Sequence, residues 1–89
     1  MFKIEYLETV VTRAFKAIPS DIKLVIKRAI EERLTTNPTL FGKPLRGSLR
    51  YHYRLRIGDY RVIYRVNIEE NIVTIIAIGH RRNIYDDYE

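Results

Sequence analysis

Residues 49–85 read LRYHYRLRIGDYRVIYRVNIEENIVTIIAIGHRRNIY, and the fold turns on how this stretch pairs with itself. It divides into two strands with polar faces, RYHYRLR and DYRVIYRV, followed by an apolar strand that closes in GHRRNIY. With a period of two, Tyr51, Tyr53 and Leu55 point one way while His52, Arg54 and Arg56 point the other. Gly58 and Asp59 tolerate the dihedrals of a tight reversal, so they mark a hairpin turn. If Arg56 lies opposite Arg61, then Leu55 meets Val62, Arg54 meets Ile63, Tyr53 meets Tyr64 and His52 meets Arg65. One side of the hairpin is then apolar and aromatic, and the other carries Arg54, Arg56, Arg61, Arg65 and His52. Like charges directly opposite one another are destabilising. A face that gathers so many points to an anion as its ligand.

Upstream, Phe2, Ile4 and Tyr6 alternate with Lys3 and Glu5, a short strand with one face buried. From Leu7 the period lengthens: Leu7, Val10, Val11, Ala14, Phe15 and Ile18 fall at helical spacing, predicting a helix to about Ala17. Pro19 ends it and suits the start of the next. There Ile22, Val25, Ile26, Ala29, Ile30 and Leu34 form a stripe, stopped by Thr35-Thr36-Asn37-Pro38. The two stripes require a cover, and the apolar face of the sheet is the partner available. Residues 38–48, PTLFGKPLRGS, read as a loop whose Leu40, Phe41 and Leu45 tuck under the helices and whose Lys43 and Arg46 lie at the sheet edge. Ile72, Val73, Ile75, Ile76, Ala77 and Ile78 make a near-continuous apolar run, the pattern of a central strand covered on both faces. It pairs with the second hairpin strand and with strand one, and a turn at Glu69-Glu70-Asn71 sets Arg61 across from His80. The expected architecture is α+β, in the order β-α-α-β-β-β, with a helical hairpin packed on a curved, mostly antiparallel sheet.

At 89 residues the chain reads as one domain over 1–89, and a hydrophobic content of 46% argues against disorder. It has no cysteine, so neither a disulfide nor a thiolate metal site is expected. It shows no signal-like apolar run and no span long enough for a bilayer, so a soluble cytoplasmic protein with no membrane partner is expected. The net charge of +5 is unevenly placed. Between Phe41 and Val66 stand Lys43, Arg46, Arg50, Arg54, Arg56, Arg61 and Arg65 against Asp59 alone. Arginine presents a planar fork suited to phosphate, and Tyr51, Tyr53, Tyr60, Tyr64 and Tyr85 share this half, a combination that favours nucleic acid. The scattered glycines build no phosphate loop, and two histidines without a carboxylate cluster suggest neither a metal site nor a cofactor.

Cutting an RNA backbone without metal requires three things: a base for the 2′-hydroxyl, positive charge for the phosphate, and a proton for the leaving 5′-oxygen. Arginine serves the second. Histidine serves the first or third, and a tyrosine can stack on a base. His52, Arg54, Arg61, His80, Arg81 and Tyr85 supply these types, and passive binding of RNA is equally consistent with them.

The segments LRGSLRYHYRLRIGDYRVIYRV and IIAIGHRRNIYDDY together resemble the RelE branch of the RelE/ParE toxin superfamily, over essentially the whole chain. The resemblance implies a toxin of a toxin–antitoxin pair. Such a toxin acts as a metal-independent endoribonuclease that enters the ribosomal A site, cuts mRNA to a 2′,3′-cyclic phosphate, and is held in check by an acidic, RelB-like antitoxin. By the same resemblance Arg61 in GDYR matches the phosphate-binding arginine. Arg81 in GHRR matches the arginine that protonates the leaving group, and Tyr85 matches the tyrosine that stacks on the base. His52 and Arg54 fall where the best-known member has two lysines, one proposed as the base. Arginine stays protonated, so His52 or His80 is left for that role, with His80 equally readable as a hydrogen-bonded residue at the strand end.

Lys43, Arg46, Arg50, Arg56, Arg65 and Arg82 are expected to bind RNA or the ribosome, with Arg56 and Arg65 equally readable as sheet-edge cations and Arg82 as solvated surface. Tyr51, Tyr53, Tyr60 and Tyr64 read as packing residues. Asp86, Asp87 and Glu89 are candidate partners for Arg81 without RNA. Two other functions remain open from the same superfamily: a ParE-like inhibitor of DNA gyrase, and an inactive member that only binds antitoxin.

Overall fold

Alternation at the N-terminus produces β1 (Lys3–Tyr6), whose Ile4 and Tyr6 are half-buried while Lys3 and Glu5 are exposed. The computed structural model describes residues 1–45 and 51–88, with side chains through residue 84. After β1 the chain winds through a π-helical turn, Val10–Ala14, into α1 (Phe15–Ala17) and α2 (Ser20–Leu34). Pro19 sits at the N-cap of α2 and Asp21 in its first turn, where a carboxylate complements the helix dipole. At the other end Thr35 Oγ1 donates back to the Glu31 carbonyl at 2.5 Å, and Asn37-Pro38 prevents continuation. Lys23 and Lys27 hold their ammonium groups 5.9 and 5.5 Å from the Phe15 ring, fastening α2 to the first helical segment.

Beyond α2 come α3 (Pro38–Phe41), β2 (Lys43–Pro44), β3 (His52–Ile57), β4 (Tyr60–Asn67), β5 (Ile72–His80) and α4 (Arg81–Tyr88). The five strands lie in the order β1-β5-β4-β3-β2, with β1 parallel to β5 and the other pairs antiparallel. The helices cover one face of this sheet. Val10, Phe15, Ile18, Ile26, Ile30 and Leu34 from the helices meet Leu55, Val62, Tyr64, Val66, Val73, Ile75 and Ile78 from the strands in one core. Burying a Leu, Ile or Val is worth about 1.5–3 kcal/mol each. The covered apolar face therefore holds the helical hairpin down, as the stripes require.

The hairpin register matches the sequence expectation at every rung: Arg56 is opposite Arg61, Leu55 opposite Val62, Arg54 opposite Ile63, Tyr53 opposite Tyr64, and His52 opposite Arg65. Gly58 takes the positive φ of 58° that a two-residue turn demands.

Elsewhere the structure differs. Part of the expected loop at 38–48 is α3 and the edge strand β2, which pairs Lys43 with Arg54 and Pro44 with Tyr53. Leu40 and Phe41 are exposed rather than tucked under the helices, because α3 turns Pro38 inward instead. Leu7, Val11 and Val25 are exposed as well, so the buried stripes are narrower than the apolar pattern. Tyr51 precedes β3 with φ 66° and is exposed, so it shares no core with Tyr53.

The β4–β5 register is slipped by one from expectation. Gly79, not His80, stands across from Arg61, and His80 is opposite Tyr60. The bulge at Ile63/Tyr64 takes up Ile76, so residues 72–75 pair out of step with 77–80. No described helix is long and apolar enough to cross a membrane.

Candidate active site

Side chains that alternate away from the helices make the second face of the sheet. By register Lys43 on β2, His52, Arg54 and Arg56 on β3, and Arg61, Ile63 and Arg65 on β4 share it. Arg56 and Arg65 are exposed, and Arg54 and His52 are half-buried. The cations therefore run along the strands as a row. At about 3.3 Å per residue, the Arg54–Ile63 rung lies about 6.6 Å from both the Arg56–Arg61 rung and the His52–Arg65 rung.

Arg61 departs from a simple solvated cation. Its side chain is 4% exposed, and Nη1 donates to the carbonyls of Gly58 and Tyr60, both at 2.9 Å. Opposed arginines repel. By bending into the turn, Arg61 separates its charge from Arg56 and ties together the carbonyls on the two sides of the reversal. Ile63 and Ile84 are also buried yet stand outside the main core. Ile84 of α4 lies over Gly79, where an added β-carbon would be 3.7 Å from the Ile84 β-carbon. Thus α4 folds back over the β5 edge of the basic face.

At the turn, the backbone N–H of Arg81 donates to the Asp59 carbonyl at 2.8 Å. Its Nε lies 3.8 Å from Asp59 Oδ1, with both side chains largely exposed. Asp59 was missed from the sequence, although the signal was present: it is the lone acid among the cations of 41–66. His80 contacts Tyr60 edge-to-face, ring centroids 5.6 Å apart, and its Nδ1 accepts the backbone N–H of Arg82 at 3.2 Å. That bond makes His80 a side-chain cap at the start of α4. His80 also shares a rung with Tyr60 rather than with Arg61, so the structure does not bring it into the row with Arg54 and His52. Arg82 is exposed at the start of α4, and Tyr85 lies in the same helix. Arg46 and Arg50 lie outside the described residues, as do the side chains of Asp86 and Asp87 and the whole of Glu89.

At the opposite end of the hairpin, Tyr51, His52, Arg65 and Ile68 border an open depression of about 470 Å³. Tyr51 is held at its positive φ by the Val66 N–H, which donates to the Tyr51 carbonyl. Non-glycine residues in that region cost about 1–3 kcal/mol and concentrate at functional sites. Tyr53 and Tyr64 are packing residues: they stack at 5.6 Å, and Tyr64 Oη donates to the Pro38 carbonyl at 2.5 Å. Burial, and secondarily Tyr53, push the Tyr64 hydroxyl well above its ordinary pKa, so it is not an acid or base near neutrality.

Residues 8–85 match the family model described as the ParE toxin of the type II toxin–antitoxin system parDE. Toxin RelG of Mycobacterium tuberculosis is 31% identical over 84 residues, covering 94% of this chain and 95% of that protein. Toxin RelE3 of Methanocaldococcus jannaschii is 37% identical over 90 residues, covering 94% and 96%. Among solved structures, the toxin–antitoxin complex RelBE2 of M. tuberculosis superposes with a TM-score of 0.83 at 29% identity, covering 90% of this chain and 98% of its counterpart.

Proposed function

We propose that this chain, which belongs to the RelE/ParE family of type II toxin–antitoxin toxins, is a RelE-type endoribonuclease that cuts mRNA in the ribosomal A site in the cytoplasm. The observation that carries the reading is the register that lines His52, Arg54, Arg56, Arg61 and Arg65 along one sheet face, with Arg81 against Asp59 at the turn where the hairpin reverses. In-line displacement at phosphorus needs a proton acceptor and a proton donor at opposite ends of the attack axis. A phosphodiester centred on the Arg54–Ile63 rung has the His52 rung on one side and the Arg61 and Arg81 end on the other.

In this scheme His52 takes the 2′-hydroxyl proton as the 2′-oxygen bonds to phosphorus. Arg54 stabilises the added charge directly and Arg61 through the field of its buried guanidinium behind the turn, and Arg81 supplies the proton as the bond to the 5′-oxygen breaks. The products are a 2′,3′-cyclic phosphate and a 5′-hydroxyl, with no metal in the balance. Tyr85 stacks on the neighbouring base, while Lys43, Arg46, Arg50, Arg56, Arg65 and Arg82 contact messenger or ribosomal RNA. An acidic, RelB-like antitoxin covers the face, a reading supported by the relative solved as a toxin–antitoxin complex.

A second reading, inhibition of DNA gyrase without RNA cleavage, is favoured by the description of the matching family model as a ParE toxin. Induction in growing cells, with mRNA ends mapped beside a gyrase supercoiling assay, separates the two. New ends within translated messages and unaffected supercoiling are expected; intact messages with trapped gyrase would sink the nuclease.

A further inference from the structure

The turn joining β3 to β4 is gripped from two sides by arginines of the proposed site. Arg61 Nη1 holds the carbonyls of Gly58 and Tyr60. From the other flank, Arg81 gives its backbone N–H to the Asp59 carbonyl at 2.8 Å and places Nε 3.8 Å from the Asp59 carboxylate. We infer that Asp59 is a positioning residue for Arg81: its carboxylate stands where a phosphate oxygen will be, keeps the guanidinium at the end of the basic face, and yields it when RNA binds. This rests on the nuclease reading above.

The two contacts differ in how easily they exchange. The ion pair joins side chains that are 49% and 68% exposed, so water screens it. A phosphodiester offers two oxygens to the same fork and competes successfully. The backbone bond is indifferent to that exchange, because it uses the main-chain carbonyl of Asp59. The start of α4 stays tethered to the turn while only the Arg81 side chain changes partner. Orientation of a catalytic group before substrate arrives removes part of the entropy otherwise lost in the transition state. A solvated arginine elsewhere on α4 would lack this advantage.

Asp59→Asn keeps the turn preference and the main-chain carbonyl but removes the charge. Its affinity for a 2′-O-methyl oligoribonucleotide, which cannot be cleaved, should rise roughly two- to fivefold, because the competing carboxylate is gone. Single-turnover cleavage of mRNA on programmed ribosomes should instead slow roughly tenfold or more, because the guanidinium is no longer held. Tighter binding with slower cleavage is a split that simple loss of structure does not give.

The Arg81 Nε resonance supplies a readout that needs no activity. In the wild type it should move when the oligonucleotide is added, and in Asp59→Asn it should be displaced already without ligand. An unchanged resonance in the variant, or one unmoved by oligonucleotide in the wild type, overturns the role of Asp59. Should the wild type bind RNA without cutting it, the nuclease reading fails while the resonance still decides the Asp59 question.

Discussion

His80 Nδ1 accepts the backbone N–H of Arg82 at 3.2 Å, so the last residue of β5 is also the side-chain cap of α4. An acceptor at this place satisfies one of the N–H groups that a helix start leaves without an internal partner. Removing it should cost about 1 kcal/mol, felt mainly in α4. His80→Ala should lower the urea midpoint and speed exchange of the α4 amides, and His80→Asn, which keeps a short acceptor, should recover most of both. Cleavage should survive in the Asn variant. Its complete loss there, with α4 intact, would return His80 to the role of base.

Arg61 and Arg81 should separate by experiment even if both are needed for cleavage. Arg61→Ala removes a buried side chain that donates to two part-buried turn carbonyls and should cost about 1–3 kcal/mol. Arg81→Ala removes an exposed side chain and should change stability by less than about 0.5 kcal/mol. Each should slow cleavage on the order of 100-fold or more. Chemical denaturation alongside cleavage rates checks the pair, and an Arg61→Ala protein as stable as wild type would contradict the turn-locking geometry.

Gly42 lies so close to Tyr64 Oη that an added β-carbon would overlap it. Gly42→Ala should therefore cost about 1–3 kcal/mol. In a Tyr64→Phe background the same change should cost less, because the hydroxyl is gone and the ring carbon at 2.9 Å and the Tyr53 β-carbon at 3.1 Å are the obstacles left. A double-mutant cycle from denaturation curves reads the coupling. Additive costs would mean that the backbone at Gly42 shifts away from Tyr64 freely enough to admit the methyl group.

Alkaline pH should destabilise the fold through Tyr64. Its hydroxyl titrates above a tyrosine's ordinary value of 10.0 when folded, by burial first and Tyr53 second. The sign follows from proton binding: above pH 10 the unfolded chain has released this proton while the native state retains it, so stability is full below about pH 10 and falls as pH rises. One such group contributes a slope of at most about 1.4 kcal/mol per pH unit. Tyr64→Phe, although less stable at neutral pH, should show a shallower decline in its urea midpoint above pH 10. Parallel declines would remove Tyr64 as the cause.

The β3–β4 hairpin was legible because each level of information agreed there. Gly58-Asp59 named the turn, and the alternation of Tyr53, Leu55, Val62 and Tyr64 with His52, Arg54, Arg61 and Arg65 named the faces. A shift by one would have put arginines into the core. The β4–β5 pairing lacked that safeguard. Ile72, Val73, Ile75, Ile76, Ala77 and Ile78 tolerate either register, and the bulge that absorbs Ile76 leaves no local mark in the residues.

Sequence alone thus determined the helical hairpin over the sheet, the hairpin register and the gathering of cations on one face, since these follow from local periodicity and turn chemistry. Only the tertiary structure decided that Arg61 turns inward to hold the turn, that His80 caps α4 on the other side of the register, and that Asp59 stands against Arg81. The Arg61 and His80 contacts are local in the chain but depend on which way each side chain turns once the sheet is packed. The Asp59–Arg81 contact depends on where the chain end folds back in space. Spacing along the chain carries no information about that return.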